Sequence, residues 1–187
     1  MTDIRYKITF YTYWHCGSGL AAGADVDLLP VKDRDGLPFV PGKTIKGLVR
    51  EAAETITTLR GGCVKDLNEC FGYFDNADLK ERGEAFFGNA TLTESDRNYA
   101  IANHCQEYLY KSIASTAIGT DGIAKDHSLR KIEVVVPCEL EGEVRNVPDG
   151  CVEIVKEGLR YVKRIGMNRT RGLGRCDISI EKEGGKQ

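Results

Sequence analysis

Two glycine-bearing stretches of this chain carry the residue types that hold phosphate. Pro41-Gly-Lys-Thr-Ile-Lys-Gly47 enters a helical pattern with Lys43 and Lys46 and no acid. A helix start offers backbone N–H groups without intrahelical partners, at the positive end of the helix dipole. That is an anion site with no nucleotide-specific motif. Gly166-Met-Asn-Arg-Thr-Arg-Gly-Leu-Gly174 sets Arg169 and Arg171 between glycines. Glycine lets a backbone approach its ligand closely, and guanidinium supplies planar, multidentate donors. Together the two loops suit a sugar–phosphate backbone with little reading of bases. Each also has a plainer reading: a helix start with surface lysines, and an arginine turn paired with the acidic stretch 133–157.

Other chemistries are less well supported. Gly17-Ser-Gly19-Leu-Ala-Ala22 fits the dinucleotide fingerprint formally. The chain after it breaks at Asp27, Pro30, Gly36, Pro38 and Pro41, so no helix long enough can open there. There is no G-x-x-x-x-G-K-[ST] and no nucleophile elbow. The seven cysteines include no C-x-x-C pair. In a chain without a signal peptide they read as reduced, often buried thiols. A zinc site built from Cys63 and Cys70, or from the His15-Cys16 and His104-Cys105 pairs, is not announced by spacing. His15, near the end of the first strand, is a candidate general acid/base. A lone histidine is more often structural.

The elements that must position these residues follow from periodicity. Residues 4–14 alternate and are rich in β-branched and aromatic side chains, so a strand is expected. Lys43–Arg60 carries an apolar stripe at Ile45, Leu48, Val49, Ala52, Ala53, Ile56 and Leu59, the buried face of a helix. Lys46 and Arg50 are four apart and share a face away from that stripe. Residues 62–83 read as irregular and 85–92 as a strand interrupted by Gly88. A further extended segment is expected over 106–113. A long hairpin or loop follows over 115–130, then a strand over Lys131–Leu140 with an edge or bulge at Pro137. Gly142 reads as a break. Asp149 is the expected N-cap of a helix running to about Arg164, and Arg175–Ile180 reads as a last strand. Strand, helix, strand, strand, helix, strand is the split βαβ pattern of α+β, ferredoxin-like folds, which include RNA-recognition domains.

Length and composition agree with a single domain over 1–187. Apolar residues make up 41% and charged residues 29% of 187, enough to bury a core without staples. No run of 18 apolar residues marks a membrane span, and the N-terminus has no signal-peptide pattern; a cytoplasmic location without membrane contact is expected. The 26 basic residues nearly balance 28 acidic ones, which by itself argues against a nucleic-acid binder. Their distribution argues otherwise. Residues 160–175 hold Arg160, Lys163, Arg164, Arg169, Arg171 and Arg175 and no acid, so a basic face is possible on a neutral molecule.

A resemblance joins these motifs. Asp35-Gly-Leu-Pro-Phe-Val-Pro-Gly-Lys-Thr-Ile-Lys-Gly-Leu-Val-Arg50 resembles the signature of the RAMP superfamily of CRISPR proteins, with Lys43 where a Ser is usual. Gly166–Gly174 with Arg175 resembles that family's C-terminal glycine-rich loop, and Phe86-Phe-Gly88 its central Phe-Gly motif. Ile118-Gly-Thr-Asp-Gly-Ile-Ala-Lys-Asp-His-Ser-Leu-Arg-Lys-Ile-Glu133 is similar to the thumb hairpin of the backbone subunits of type III effector complexes. The likeness runs over about 4–181.

The resemblance implies a ferredoxin-like (RRM-like) βαββαβ core with lid and thumb insertions. It implies a subunit that polymerises along guide RNA, with target RNA, other Cas subunits and copies of itself as partners. Lys43, Lys46, Arg50, Arg169, Arg171 and Arg175 would hold guide RNA; Lys125, His127 and Arg130 would lie on or beside the thumb. An Asp in the loop after the first strand would cleave target RNA with Mg²⁺ or Mn²⁺. Asp27 aligns best, Asp25 competes, and Asp33 is third. Zinc-bearing members show closely spaced cysteines before the Phe-Gly motif; here Cys63 and Cys70 are the candidates. The alternatives are a non-catalytic scaffold or capping subunit, and a repeat-processing endoribonuclease using His15.

Overall fold

The computed structural model describes residues 1–20, 26–74, 80–120 and 122–181. The N-terminal strand, β1 (Thr2–Phe10), alternates as a half-buried strand must. Ile4, Tyr6, Ile8 and Phe10 enter the core while Arg5 and Thr9 face away. After a long loop come β2 (Phe39–Val40) and α1 (Gly42–Leu59), whose Ile45, Val49, Ala52 and Ala53 are buried. An insertion follows, with α2 (Asn68–Phe71) and a small hairpin of β3 (Gly72–Phe74) and β4 (Lys80–Arg82). Then come β5 (Phe86–Phe87), β6 (Ala90–Leu92) and α3 (Glu94–Ala102). A second hairpin pairs β7 (Tyr110–Ser115) with β8 (Arg130–Val135). The fold closes with β9 (Glu139–Val147), α4 (Val152–Tyr161) and β10 (Cys176–Ile180).

The main sheet runs β10-β1-β9-β6-β2, with β5 also on β9. All of these pairs are antiparallel. Taken as β1-α1-β6-β9-α4-β10, the order is βαββαβ with strand order 4-1-3-2, the expected ferredoxin-like architecture. Helices α1 and α4 pack on each other over one sheet face. Gly158 makes that possible, since a Cβ there would lie 3.1 Å from the Val49 carbonyl oxygen. Tyr6, Ile8, Trp14, Ile45, Leu140 and Leu159 are fully buried between sheet and helices. Among the described residues no helix is long and apolar enough to cross a membrane.

Four expectations are corrected. Lys131–Leu140 is not one strand. It divides at Val136–Cys138 into β8, on the two-stranded sheet, and β9, on the main sheet. Gly142 is not a break; it sits inside β9 opposite Tyr6, whose ring occupies the space a Cβ would need, at 2.4–2.8 Å. The second helix is preceded by a 3-10 turn over Asp149–Cys151, so its N-cap is Cys151 rather than Asp149, and α4 stops at Tyr161 rather than near Arg164. The segment expected to be extended over 106–113 begins as a 3-10 turn, Gln106–Leu109, before β7. Helix α3 had no counterpart in the periodicity.

Candidate nucleic-acid interface

The loop after β1 and the C-terminal glycine-rich loop lie against each other. The Met167 amide donates to the His15 carbonyl at 2.8 Å, and the Gly174 amide donates to the Tyr13 carbonyl at 2.8 Å. Gly166 permits this approach. Its φ is +94°, and a Cβ would stand 2.3 Å from the His15 carbonyl oxygen. The guanidinium of Arg164 donates to the Arg169 carbonyl and ties the loop from its other side.

The two loops meet the start of α1. A groove of about 600 Å³ results, lined among others by His15, Ser18, Lys43, Thr44, Met167 and Arg169. Lys43, from the start of α1, and Arg169, from the glycine-rich loop, are exposed cations in its lining. Pro41 opens α1 without a side-chain cap. The Gly42 amide is taken by Asn89 Oδ1 at 2.9 Å, and the Thr44 amide by the Pro41 carbonyl at 2.9 Å. The Ile45 amide shares that carbonyl at 3.2 Å, so these first-turn amides are taken inside the fold and the start of α1 offers the groove the Lys43 ammonium. An anionic polymer passing through would meet ammonium and guanidinium together.

His15 forms part of this wall. It is fully buried, and its Nδ1 lies 2.6 Å from the Glu133 carbonyl of β8. Nδ1 therefore carries a proton, because a carbonyl oxygen only accepts. Nε2 has no partner among the described residues.

The groove does not gather every expected cation. Lys46 lies on the other flank of α1, toward Cys70 and Arg82; burial first, then the guanidiniums of Arg50 and Arg82, holds its ammonium below the ordinary lysine range. Arg50 is paired with Glu54 one turn on, at 2.7 Å. Arg171 is exposed and outside the groove lining. Arg175 is also exposed; its amide donates to Thr12 Oγ1 at 3.0 Å, fixing the start of β10 beside the end of β1. Lys125, His127 and Arg130 are exposed on the β7–β8 hairpin, away from the groove, with His127 at a φ of 57°.

That hairpin is anchored at its root to the loop after β1. Trp14 and Val135 exchange two backbone hydrogen bonds at 3.0 and 2.8 Å. The Glu133 amide donates to the Leu28 carbonyl at 3.0 Å, and Lys32 pairs with the Glu133 carboxylate at 2.7 Å. Asp27 sits on this junction, exposed, with its carboxylate accepting the Lys131 amide at 2.7 Å.

The three candidate carboxylates differ sharply. Asp25 lies outside the described residues. Asp33 is engaged in the fold: one oxygen accepts the Asp35 and Leu37 amides, both at 2.9 Å, and the other pairs with Arg97 at 2.6 Å. Burial works against its ionisation, but Arg97 and the two amides outweigh it and hold the carboxyl below the usual range. Asp27 alone of the two described is open to solvent. One exposed carboxylate fits a Mg²⁺ or Mn²⁺ ion that takes its other ligands from phosphate and water. Among the described residues no group of three or more His, Cys, Asp or Glu is placed to enclose a metal.

The cysteines expected for zinc do not converge. Cys63 is exposed, whereas Cys70 is fully buried beside Cys151, and burial pushes its thiol up to about 12. An exposed and a fully buried cysteine do not face one cation, and among the described residues neither joins a group of three metal-ligating side chains.

The outer face of the main sheet also bears on RNA binding. RNA-recognition domains stack bases on sheet aromatics. Here the outward positions of β9 carry Glu139, Glu141 and Glu143, and Glu139 pairs with Lys7 of β1 at 3.2 Å. The three carboxylates along the middle of that face repel RNA, so the groove is the candidate guide interface; only at the β5 end does the face turn basic and aromatic, with Arg145 beyond Glu143 and Phe86 opposite it.

The family model "RAMP superfamily" matches residues 7–177. The fold is similar to a chain of the type III-B Cmr-beta cryo-EM structure in the apo state, at TM-score 0.76 and 12% identity, covering 97% of this chain and 98% of that one. It is similar as well to a chain of type III-B Cmr-beta bound to cognate target RNA, at TM-score 0.75 and 11% identity, covering 96% and 97%. No curated protein sequence matches significantly.

Proposed function

The chain belongs to the RAMP superfamily, and from that premise we propose that it is a guide-RNA-binding backbone subunit of a type III CRISPR effector complex. The observation that carries this reading is the convergence of Lys43 and Arg169 on one groove, beside a hairpin whose root holds Asp27. The likeness to Cmr-beta chains over almost the whole of both lengths supports it. In this reading the groove grips the guide backbone. The β7–β8 hairpin, with Lys125, His127 and Arg130, is the thumb. Other Cas subunits, copies of this chain and complementary target RNA complete the particle.

We assign the cleavage of target RNA to Asp27. Its carboxylate would hold Mg²⁺ or Mn²⁺ against the scissile phosphate, the ion supplying charge neutralisation at the phosphoryl oxygens. The hydrogen bond from the Lys131 amide fixes where that carboxylate stands. Asp33 stays a structural residue in this scheme, and zinc plays no part through Cys63 and Cys70.

One observation favours a second reading. The unpartnered Nε2 of His15 in the groove wall suits a metal-independent, repeat-processing endoribonuclease. Metal dependence separates the two. The test of the main reading is co-expression with a CRISPR array and the neighbouring genes, followed by measurement of RNA in the purified particle. RNA of uniform length is expected with the wild-type protein and its loss with Lys43→Ala/Arg169→Ala. A wild-type particle without RNA would overturn it.

A further inference from the structure

The sheet edge at β5 presents a second concavity, which the groove and the Asp27 site do not use. It measures about 590 Å³ and is lined by Arg82, Gly83, Glu84, Phe86, Arg145 and Asn146. Phe86 and Phe87 alternate across β5. Phe87 is buried and stacks on Phe71, with ring centroids 5.8 Å apart, whereas Phe86 is 50% exposed. Phe86 stands directly opposite Arg145 in the β5–β9 pairing, so their side chains share a face. The Arg145 guanidinium carbon lies 5.7 Å from the Phe86 ring centroid, within cation–π range. Glu143 orients that guanidinium, accepting from Arg145 Nε at 2.7 Å. A flat aromatic surface and a flat cation are thus held side by side and open to solvent.

The charges around the concavity select among occupants. Arg82 brings a second guanidinium, near Lys46 on the flank of α1 that turns away from the groove. Glu84 on the rim, and Glu143 behind Arg145, repel an acidic peptide that would need several carboxylates accommodated at once. A nucleotide has a different demand. Its base is neutral and flat, and its phosphate needs one cation. Asn146, held at a φ of 55° with its amide donating to Asp3 Oδ1 at 3.0 Å, adds a side-chain amide that can meet a base edge.

We infer that this concavity is a nucleotide-stacking site for single-stranded RNA, with Phe86 and Arg145 taking a base and Arg82 the adjoining phosphate. The inference rests on the reading of the protein as an RNA-binding subunit and extends the RNA path to the far flank of α1.

The test uses the full-length protein and a single-stranded oligoribonucleotide carrying 5-iodouridine, which crosslinks under light to aromatic residues stacked on it. A crosslink mapped by mass spectrometry to Phe86 is expected. Phe86→Leu keeps the bulk and removes the π-face; it should weaken binding about tenfold at an unchanged thermal midpoint, and Phe86→Tyr should restore it. Arg82→Ala should weaken binding and make it less salt-dependent. Crosslinks confined to the groove peptides, with Phe86→Leu binding like wild type, would overturn the stacking site and leave the proposed function standing. A wild-type protein that binds no RNA would overturn both. A Phe86→Leu change in self-association without any change in RNA affinity would overturn the stacking site and make the concavity an interface between protein subunits.

Discussion

Asp27 and Lys131 exchange two hydrogen bonds: the Asp27 amide donates to the Lys131 carbonyl at 2.9 Å, and the Lys131 amide donates to Asp27 Oδ2 at 2.7 Å. The backbone of β8 thus pairs with β7 on one side and orients the candidate catalytic carboxylate on the other. Ile132 makes the β7 pairing, while Lys131 and Glu133 turn their amides toward Asp27 and Leu28. A catalytic group misplaced by about 1 Å loses roughly 100-fold in rate.

Lys131→Pro therefore removes an N–H that β7 does not use and that the Asp27 carboxylate takes. Target-RNA cleavage by the assembled particle should fall about 100-fold while guide-RNA content stays at the wild-type level. Lys131→Ala, which keeps the amide, should cleave normally. Single-turnover cleavage rates against bound RNA content check this.

The groove cations should show themselves in the salt dependence of RNA binding. Each phosphate of a single strand that is no longer neutralised lowers the slope of log K against log salt by about 0.7. Lys43→Ala/Arg169→Ala should lower it by about 1.4. Arg50→Ala should leave it nearly unchanged, because Arg50 is committed to Glu54. Fluorescence anisotropy across a salt series measures both variants against wild type.

Gly166 and Gly172 both have left-handed φ, +94° and +93°, yet they differ in surroundings. Gly166→Ala drives a Cβ against the His15 carbonyl and should cost on the order of 3 kcal/mol. Gly172→Ala meets open space and should cost only about 1 kcal/mol. Urea unfolding of the two variants separates backbone strain from steric conflict.

Asp33 should behave as a stabilising residue. Its folded pKa lies below the unfolded value of about 3.9, so its stabilisation is fully present above that value and is lost as pH falls through the folded pKa. Arg97→Ala should cost roughly 1 kcal/mol near neutral pH, allowing for solvent screening. The gap to wild type should close in acid below about pH 4. Asp33→Asn should lower the urea midpoint without abolishing cleavage. Unfolding at two pH values, with cleavage assays, checks both.

The sequence carried the alternating strand β1 and the apolar stripes of α1 and α4, because each has a regular period and one buried face. It carried the two phosphate-type loops through their glycines and arginines. The division of β8 from β9 was hidden, because the Val-rich extended pattern continues through Val134–Val136 while the backbone changes sheets. Helix α3 was hidden because only Ala100 is buried, which leaves no stripe; its one local signal is Thr93, whose side chain caps the Asp96 amide at 3.1 Å. Lys46 and Lys43 are one turn apart in sequence yet serve different flanks of α1, which only the packing of the insertion around Cys70 and Arg82 decides. Nor does local sequence show that Asp33 is spent on Arg97, a partner 64 residues away.

The most direct measurement is the cleavage pattern of guide-complementary RNA by the purified, co-expressed particle with Mg²⁺, wild type against Asp27→Ala. Regularly spaced cuts are expected with the wild-type protein, with their disappearance in Asp27→Ala at preserved RNA content and their loss with a chelator. Cuts that persist unchanged in Asp27→Ala would contradict the assignment of Asp27 as the catalytic carboxylate.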